Sequence, residues 1–238
     1  MQISQISPEK KRLLEAVLPH VPFDGWSDAA VRAGNDEIGV SEADFRAICP
    51  RGAVDLAVAA HQEGDAQMVA RLQQLDMADM RFRDRVATSI RLRLEVAGDK
   101  EVVRRAATLF ATPHMAAEGA KLMWNTADAI WNALGDTSRD ANWYSKRATL
   151  SAVYSACVLF WLGDESANAE ETNAFIDRRI ENVMNFEKFK AKVRGSATLK
   201  PLVAPLESLL SRVRAPEAAA RDPDLPGYWD PKTGTTDQ

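Results

Sequence analysis

Residues 141–162 read ANWYSKRATLSAVYSACVLFWL, and this stretch decides the fold class. Its apolar side chains recur three or four positions apart, at Leu150, Val153, Tyr154, Cys157, Phe160 and Trp161. Because an α-helix turns once every 3.6 residues, this spacing places them on one helical face. The same period occurs upstream in Leu122, Met123, Ile130, Trp131 and Leu134. The pattern predicts two long helices with apolar faces.

The rest of the chain up to about residue 194 also has helical periodicity and no strand signals. Long helices are predicted at about 52–75, 78–97, 99–111, 114–134, 141–162 and 168–194. Three short helices precede them, and each begins after a serine that can cap its first turn: Ser7, which is followed by Pro8, then Ser27 and Ser41. This is the helix order of a TetR-type chain. We therefore predict an all-α, TetR-like helical bundle over residues 1–195.

Length and composition agree with one helical domain that has C-terminal appendages. The chain has 238 residues, of which 46% are hydrophobic, enough for a sizeable core. Two cysteines, Cys49 and Cys157, are too few for a disulfide framework and indicate a reducing compartment. No apolar run is long enough to span a bilayer, and the N-terminal residues lack signal-peptide and transit-peptide character. We expect a bacterial cytoplasmic location, or the mitochondrial matrix for a processed eukaryotic form.

The predicted helix-turn-helix near the N-terminus has the wrong charge for DNA. Residues 24–48 contain six acidic and two basic side chains, which leaves a net charge of −4. DNA affinity depends mostly on Lys and Arg contacts to phosphates, so DNA repels a region of this sign. We predict a degenerate helix-turn-helix without specific DNA binding.

The sequence contains no recognisable catalytic, metal or cofactor site. The histidines His20, His61 and His114 are far apart, and none follows a glutamate by three positions as di-iron carboxylate sites require. No phosphate-binding loop, dinucleotide motif or nucleophile elbow occurs. His61 is expected as a boundary side chain and His114 at a helix N-terminus. We predict no catalytic residues, no metal and no cofactor, and thus a protein that is not an enzyme.

Flexible sulfur and aromatic side chains are concentrated in three consecutive helices. Methionine adapts to irregular spaces, so both a lipid tunnel and a well-packed core are compatible with this composition. The candidate lipid-binding residues are Phe110, Met115, Leu122, Met123, Ile130, Trp131, Val153, Cys157, Phe160 and Trp161.

A second candidate site lies where a polar turn leads into Trp143 and Tyr144. Consecutive residues on a helix point about 100° apart, so at most one of the two can lie fully in the core. Aromatic residues flanked by Asp140 and Arg147 have the composition of a protein-recognition patch. A core tryptophan beside a rim tyrosine fits the composition as well.

An amphipathic segment follows Gly195, and we predict a membrane-associating helix over residues 196–214. Its apolar face consists of Leu199, Leu202, Val203, Leu206, Leu209, Leu210 and Val213. The other face has a net charge of +2, which suits an anionic membrane surface. Docking on the protein's own body or on a dimer partner is the alternative. Residues 215–238 have the composition of a flexible tail.

The residues around the aromatic pair resemble a known family. Its core signature is similar to Trp131, Gly135-Asp136, Asp140-x-Asn142-Trp143-Tyr144-x-x-Arg147-Ala148-x-Leu150 and Tyr154. This is the coenzyme Q biosynthesis accessory family of mitochondria and alphaproteobacteria, the ninth member of the yeast Coq series. The resemblance implies a TetR-like fold that binds lipid instead of DNA and assists the di-iron demethoxyubiquinone hydroxylase. It also implies a hydroxylase-facing patch formed by Asp140, Asn142, Trp143, Tyr144 and Arg147.

Residues and resemblance together predict a homodimer that catalyses nothing and binds an isoprenoid lipid or ubiquinone precursor. It would sit peripherally on the anionic inner face of the cytoplasmic membrane and present the lipid to a ubiquinone-pathway hydroxylase. One alternative is a TetR-class transcriptional regulator that senses a hydrophobic ligand. Another is a purely structural dimeric scaffold, which would have no cavity.

Overall fold

The computed structural model describes the backbone of residues 6–195 and the side chains of residues 6–184. Within residues 6–195 all regular structure is helical, which confirms the predicted all-α class. The helices are α1 Pro8–Val17, α2 Val21–Asp24, α3 Asp28–Ile38, α4 Glu42–Ile48, α5 Ala53–Gln74, α6 Phe82–Glu95, α7 Lys100–Phe110, α8 Ala116–Ala133, α9 Ala141–Gly163 and α10 Glu170–Gly195.

The helix starts follow the predicted caps. The hydroxyls of Ser7, Ser27 and Ser41 accept hydrogen bonds from backbone N–H groups three residues later, at the starts of α1, α3 and α4. Such caps typically contribute about 0.5–2 kcal/mol each, because they satisfy N–H groups that have no partner within the helix. Between α3 and α4, Gly39 adopts the left-handed conformation with φ +66°, which favours glycine and ends α3.

The largest difference from the predicted bounds is the start of α6. The periodicity placed it near residue 78, whereas the helix begins at Phe82. Asp76 accepts a hydrogen bond from the Ala78 N–H, and the Arg85 guanidinium donates to the carbonyls of Ala78 and Met80. These side-chain contacts hold the segment as a turn, in place of the first helical turn.

Two apolar cores organise the bundle. The first lies between α1, α3, α4 and the start of α5 and includes Leu13, Val31, Phe45 and Leu56. α1 and α3 approach closely because Gly34 has no side chain; a Cβ there would lie 2.9 Å from the Ala16 carbonyl. The second core joins α5, α6, α8, α9 and α10 around Met68, Ile90, Ile130, Cys157 and Ile176. Since α5 contributes to both cores, it connects the N-terminal helices to the main bundle.

Two of the predicted segments cannot be compared with this architecture. The membrane-associating helix at 196–214 and the tail at 215–238 lie outside the described residues. Within the described part of the chain, no helix is both long and apolar enough to cross a membrane.

Candidate functional site

A cavity of about 580 Å³ opens between α5, α6, α7, α8 and α9. Small-molecule sites typically measure about 300–1,000 Å³, so the volume is appropriate for a ligand. Small residues on several helices and in the turn after α6 line the space: Ala57, Ala60, Gly64, Ala97, Ala106, Ala107, Gly119 and Ala120. Larger apolar residues such as Trp26, Leu94 and Val158 complete a mainly apolar wall.

α7 forms one side of this cavity. Its apolar face, including Val102, Val103 and Phe110, lines the space, and none of its residues is fully buried. Hydrogen bonds hold the helix at its edges: Trp26 Nε1 donates to the Val102 carbonyl at 3.4 Å, and Arg105 donates to the Pro22 carbonyl at 3.1 Å. An amphipathic helix normally packs its apolar face against other side chains. Here part of that face borders empty space.

The predicted lipid-binding residues separate into three groups. Phe110, Leu122, Met123 and Trp161 line the cavity. Trp131 and Val153 line a second, smaller cavity of about 190 Å³ beside α6 and α10.

The other four predicted residues do not line either of these cavities. Ile130 and Cys157 are fully buried in the second core, and Phe160 stacks on Phe175 with 4.3 Å between ring centroids. Met115 precedes the first turn of α8. The apolar stripe grouped all these residues because core positions and cavity positions follow the same helical period.

Sequence reasoning missed a polar cluster in the cavity wall. Arg93 Nε donates to Asp65 Oδ1 at 2.7 Å, and Arg93 Nη2 donates to the His61 carbonyl at 3.1 Å. Thr126 Oγ1 lies 2.8 Å from Asp65 Oδ1 and 2.8 Å from His61 Nε2. Of this cluster, His61 and Arg93 line the cavity, together with Tyr154. The only signal in the sequence is that His61 and Asp65 share one face of a helix.

Burial sets the protonation of the titratable groups in this wall. It lowers the pKa of His61 to about 4, because the nearby Asp65 carboxylate compensates only part of the lost hydration. Burial raises the pKa of Tyr154 to about 12. At neutral pH the wall therefore presents an uncharged imidazole and a protonated phenol.

Two of the predicted recognition residues, Trp143 and Tyr144, form an aromatic surface outside the cavity together with Trp124. The Trp143 and Tyr144 rings meet edge to face at 4.8 Å, and the Trp124 centroid lies 5.8 Å from that of Trp143. Neither member of the pair is a fully buried core residue, and Tyr144 is 37% exposed. Trp124 comes from α8, and the signature around α9 did not indicate it.

Arg147 packs against the aromatic surface but is itself buried. Its side chain is 1% exposed, and its guanidinium donates to Asp128, Asp136, Asn132 and the Trp143 carbonyl. The guanidinium carbon also lies 4.0 Å from the Trp143 ring centroid. Arg147 was predicted as a partner-contact residue; in the structure it is buried, and four of its N–H groups donate within the protein.

Asp140, Asn142 and Asp136 organise the turn that leads to the aromatic surface. Asp140 caps α9 and accepts from the backbone and side-chain amides of Asn142, both at 2.9 Å. Burial opposes ionisation of Asp136, but hydrogen bonds from Lys146, Ser138 and Arg147 outweigh it and lower its pKa to about 2. Among the described side chains, no group of three or more His, Cys, Asp or Glu residues could hold a metal ion.

The fold of the chain is similar to that of a solved structure. The chain is similar to the TetR transcriptional regulator from Nitrosomonas europaea ATCC 19718, with a TM-score of 0.61 over 74% of this chain and 97% of that chain. At 18% sequence identity, this likeness shows the fold and carries no functional argument. The predicted TetR-like fold is thereby confirmed.

The family of the chain follows from its similarity to known sequences. The COQ9 family model matches residues 116–187, which include α8, α9 and the aromatic surface. The chain is 28% identical over 196 residues to the mitochondrial ubiquinone biosynthesis protein COQ9 of Homo sapiens, covering 78% of this chain and 60% of that protein. It is 30% identical over 184 residues to the protein of the same name from Schizosaccharomyces pombe, covering 76% of this chain and 72% of the relative. The chain belongs to the COQ9 family of ubiquinone biosynthesis proteins.

Proposed function

We propose that this chain is a non-catalytic accessory protein that binds an isoprenoid quinone intermediate and presents it to a hydroxylase at a membrane. The cavity between α5 and α9 is the observation that carries this proposal. A purely structural scaffold has no need of such a space, and large unfilled volumes destabilise a core.

The physical benefit of such a carrier follows from the insolubility of isoprenoid tails. Each Å² of apolar surface removed from water contributes about 25 cal/mol, so a long tail stays in the bilayer unless a protein surrounds it. The apolar walls of the cavity provide that environment for part of the tail. The role assigned to the protein is extraction and shielding, while the partner performs the chemistry.

The aromatic surface is the proposed contact for the hydroxylase. Exposed tryptophan and tyrosine are enriched among residues that contribute most to protein binding. α8 connects the two sites, because Met123 lines the cavity and the next residue, Trp124, belongs to the aromatic surface. A bound lipid and a bound partner would therefore touch the same helix.

The location and assembly are part of the same proposal. The human and bovine relatives are named as mitochondrial proteins, and this chain spans about 60% of the length of each. We propose that the chain acts peripherally on an inner membrane surface, bacterial or mitochondrial, and as a homodimer.

Mass spectrometry of solvent extracts from the purified protein tests the proposal. We expect an isoprenoid quinone or a related intermediate to copurify with the protein. Ala107→Phe places a ring in the cavity and should abolish copurification, while Ala43→Phe makes the same change on the exposed face of α4 and should not. Lipid-free wild-type protein from repeated preparations would contradict the proposal.

A further inference from the structure

The polar cluster is an unexpected feature of a cavity for an apolar chain. Arg93 is 3% exposed and Asp65 is also buried, although a buried ion pair seldom contributes net stability compared with apolar packing. The Arg93 guanidinium packs closely against Gly64, because a Cβ at that position would lie 2.8 Å from Arg93 Cζ and Nη1. The polar cluster is thus closely packed into the cavity wall.

The hydrogen bonds within the cluster leave some of its polar groups for a ligand. Thr126 has one hydroxyl proton and lies closer to Asp65, at 2.8 Å, than to the Leu122 carbonyl at 3.3 Å. With that proton donated to Asp65, His61 Nε2 must be the donor to Thr126, which leaves His61 Nδ1 as an acceptor.

Two hydrogen-bond donors on the cavity wall also remain for a ligand. Tyr154 is 2% exposed, and its hydroxyl has no hydrogen-bond partner among the described residues. Arg93 Nη1 also makes no hydrogen bond within that part of the chain. Neither atom is among the enclosed side-chain atoms without a partner, so both have accessible surface on the cavity wall, where a ligand oxygen can accept a hydrogen bond from them.

The charge of the wall restricts the chemistry of that ligand. Asp65 neutralises Arg93 at 2.7 Å, and burial keeps His61 uncharged at neutral pH. The remaining ionisable side chain in the lining is Glu63, which is acidic and pairs with Lys11 at 2.8 Å. The lining therefore has no uncompensated positive charge for a carboxylate or a phosphate.

We infer that His61, Arg93 and Tyr154 bind the polar head of the lipid, and that they select an uncharged, oxygen-bearing head group over fatty acids and phospholipids. The inference rests on the proposed function, since it takes the cavity to be the lipid site. A carbonyl or hydroxyl oxygen accepts from Tyr154 and Arg93, and a ligand hydroxyl donates to His61. The tail lies against the apolar residues of the lining, among them Leu159, which is 67% exposed.

Calorimetric titration of the full chain at pH 7.5 with three probes tests this inference. Decylubiquinone has an uncharged oxygenated ring, undecanoate has an anionic head, and decylbenzene has no polar head. We expect decylubiquinone to bind most tightly. Tyr154→Phe removes only the hydroxyl and should weaken decylubiquinone about fivefold without changing decylbenzene, because one hydrogen bond is lost. Thr108→Val is the control, since it also removes only a hydroxyl, on α7 outside the cavity lining.

The Asp65→Asn variant tests the inference independently, because we expect it to bind one of the probes more tightly. It removes the charge that neutralises Arg93, so undecanoate should bind more tightly than it binds to wild type, while Tyr154 remains in place. Thermal unfolding followed by circular dichroism establishes that each variant is folded. If one variant does not fold, the other variant and the three wild-type affinities still decide the question.

The possible failures are distinguishable. Equal wild-type affinities for decylubiquinone and decylbenzene would overturn head-group recognition and leave lipid binding intact. Undecanoate binding as tightly as decylubiquinone would overturn the charge selection alone. Binding of none of the three probes would overturn both the inference and the proposed function.

Discussion

Arg147 shows how one buried residue organises a surface that it does not reach. Its guanidinium connects α8 and the turn after it, through Asp128, Asn132 and Asp136, to the start of α9. Its stacking against Trp143 fixes the orientation of that ring. The aromatic surface therefore depends on a charged group that is inaccessible to solvent.

We expect Arg147→Ala to destabilise the fold by about 3–5 kcal/mol, because Asp128 loses its charged partner and Asp136 keeps only Lys146. Urea unfolding at pH 7 measures the change. Arg139→Ala removes an arginine from an exposed position in the same turn and should have little effect. Equal unfolding midpoints for the two variants would contradict the structural role of Arg147.

The aromatic surface gives a second expectation for single residues. Trp143→Ala, Tyr144→Ala and Trp124→Ala should each weaken binding to the partner hydroxylase by about 2 kcal/mol or more, as truncation of an interfacial hot spot typically does. Their melting temperatures should change much less. Phe23→Ala serves as control, since Phe23 is an exposed aromatic residue on α2. If the three variants melt far below wild type and bind normally, the surface is structural.

We expect the stability of the fold to depend on pH because folding lowers the pKa of His61. Its pKa falls from an ordinary value of 6.5 to about 4 on folding, so the unfolded chain binds more protons between these values. Stability is therefore full above about pH 6.5 and decreases as the pH falls toward 4.

Urea unfolding should show a loss on the order of 2 kcal/mol from this group between pH 7 and pH 4.5. The contribution of Asp136, whose pKa is about 2, is lost only at lower pH. A His61→Gln variant should have a flatter profile in the window from pH 6.5 to 4.5. An unchanged profile in that variant would show that His61 is not the group responsible.

At the scale of elements, the helix-turn-helix keeps its geometry without the charge that DNA requires. α3 and α4 begin at their predicted caps, and the α4 residues Glu42, Asp44 and Arg46 are exposed. Arg46, one of two bases in this region, pairs with Glu42 at 3.2 Å. The element retains the topology of a DNA-binding unit on an acidic surface.

We expect selection from genomic fragments at about 0.1 M salt to return no enriched operator, because phosphates dominate DNA affinity. The Glu42→Lys/Asp44→Lys double variant should raise nonspecific retention, which shows that the assay detects binding. A sequence-specific complex of the wild type at nanomolar protein would favour the regulator alternative.

The amphipathic segment at 196–214 remains a prediction from its sequence. Removing residues 196–238 should leave a folded protein that no longer floats with anionic liposomes, and Leu206→Glu or Leu210→Glu should act similarly. Each charge replaces about 1.5–3 kcal/mol of apolar burial. Added salt should weaken binding only partly, since seven apolar residues contribute more than a net charge of +2. Aggregation of the truncated protein without liposomes would assign the segment to the fold.

At the scale of the whole molecule, two cores that share α5 enclose a space that neither fills. Leu56 belongs to the first core and Met68 to the second, while Ala57, Ala60 and Gly64 between them face the cavity. Residues of α7 also border this space. The arrangement separates stability, which the cores supply, from ligand binding, which needs unfilled volume.

The sequence by itself determined what depends on neighbouring residues. Helix period, serine caps and the acidic count over residues 24–48 are local properties, and the helices α5, α8 and α9 lie within about three residues of their predicted bounds. The signature around Trp143 and Arg147 identified the family for the same reason, since those residues lie close together in the chain.

Only the tertiary structure decided which apolar residues face the cavity and which polar groups meet in its wall. Leu122 and Ile130 have the same helical period, yet one lines the cavity and the other fills the core. Asp65 meets Arg93 across 28 residues and Thr126 across 61. Such partners are brought together by the packing of whole helices, and no periodicity within a single helix specifies which other helix will lie opposite.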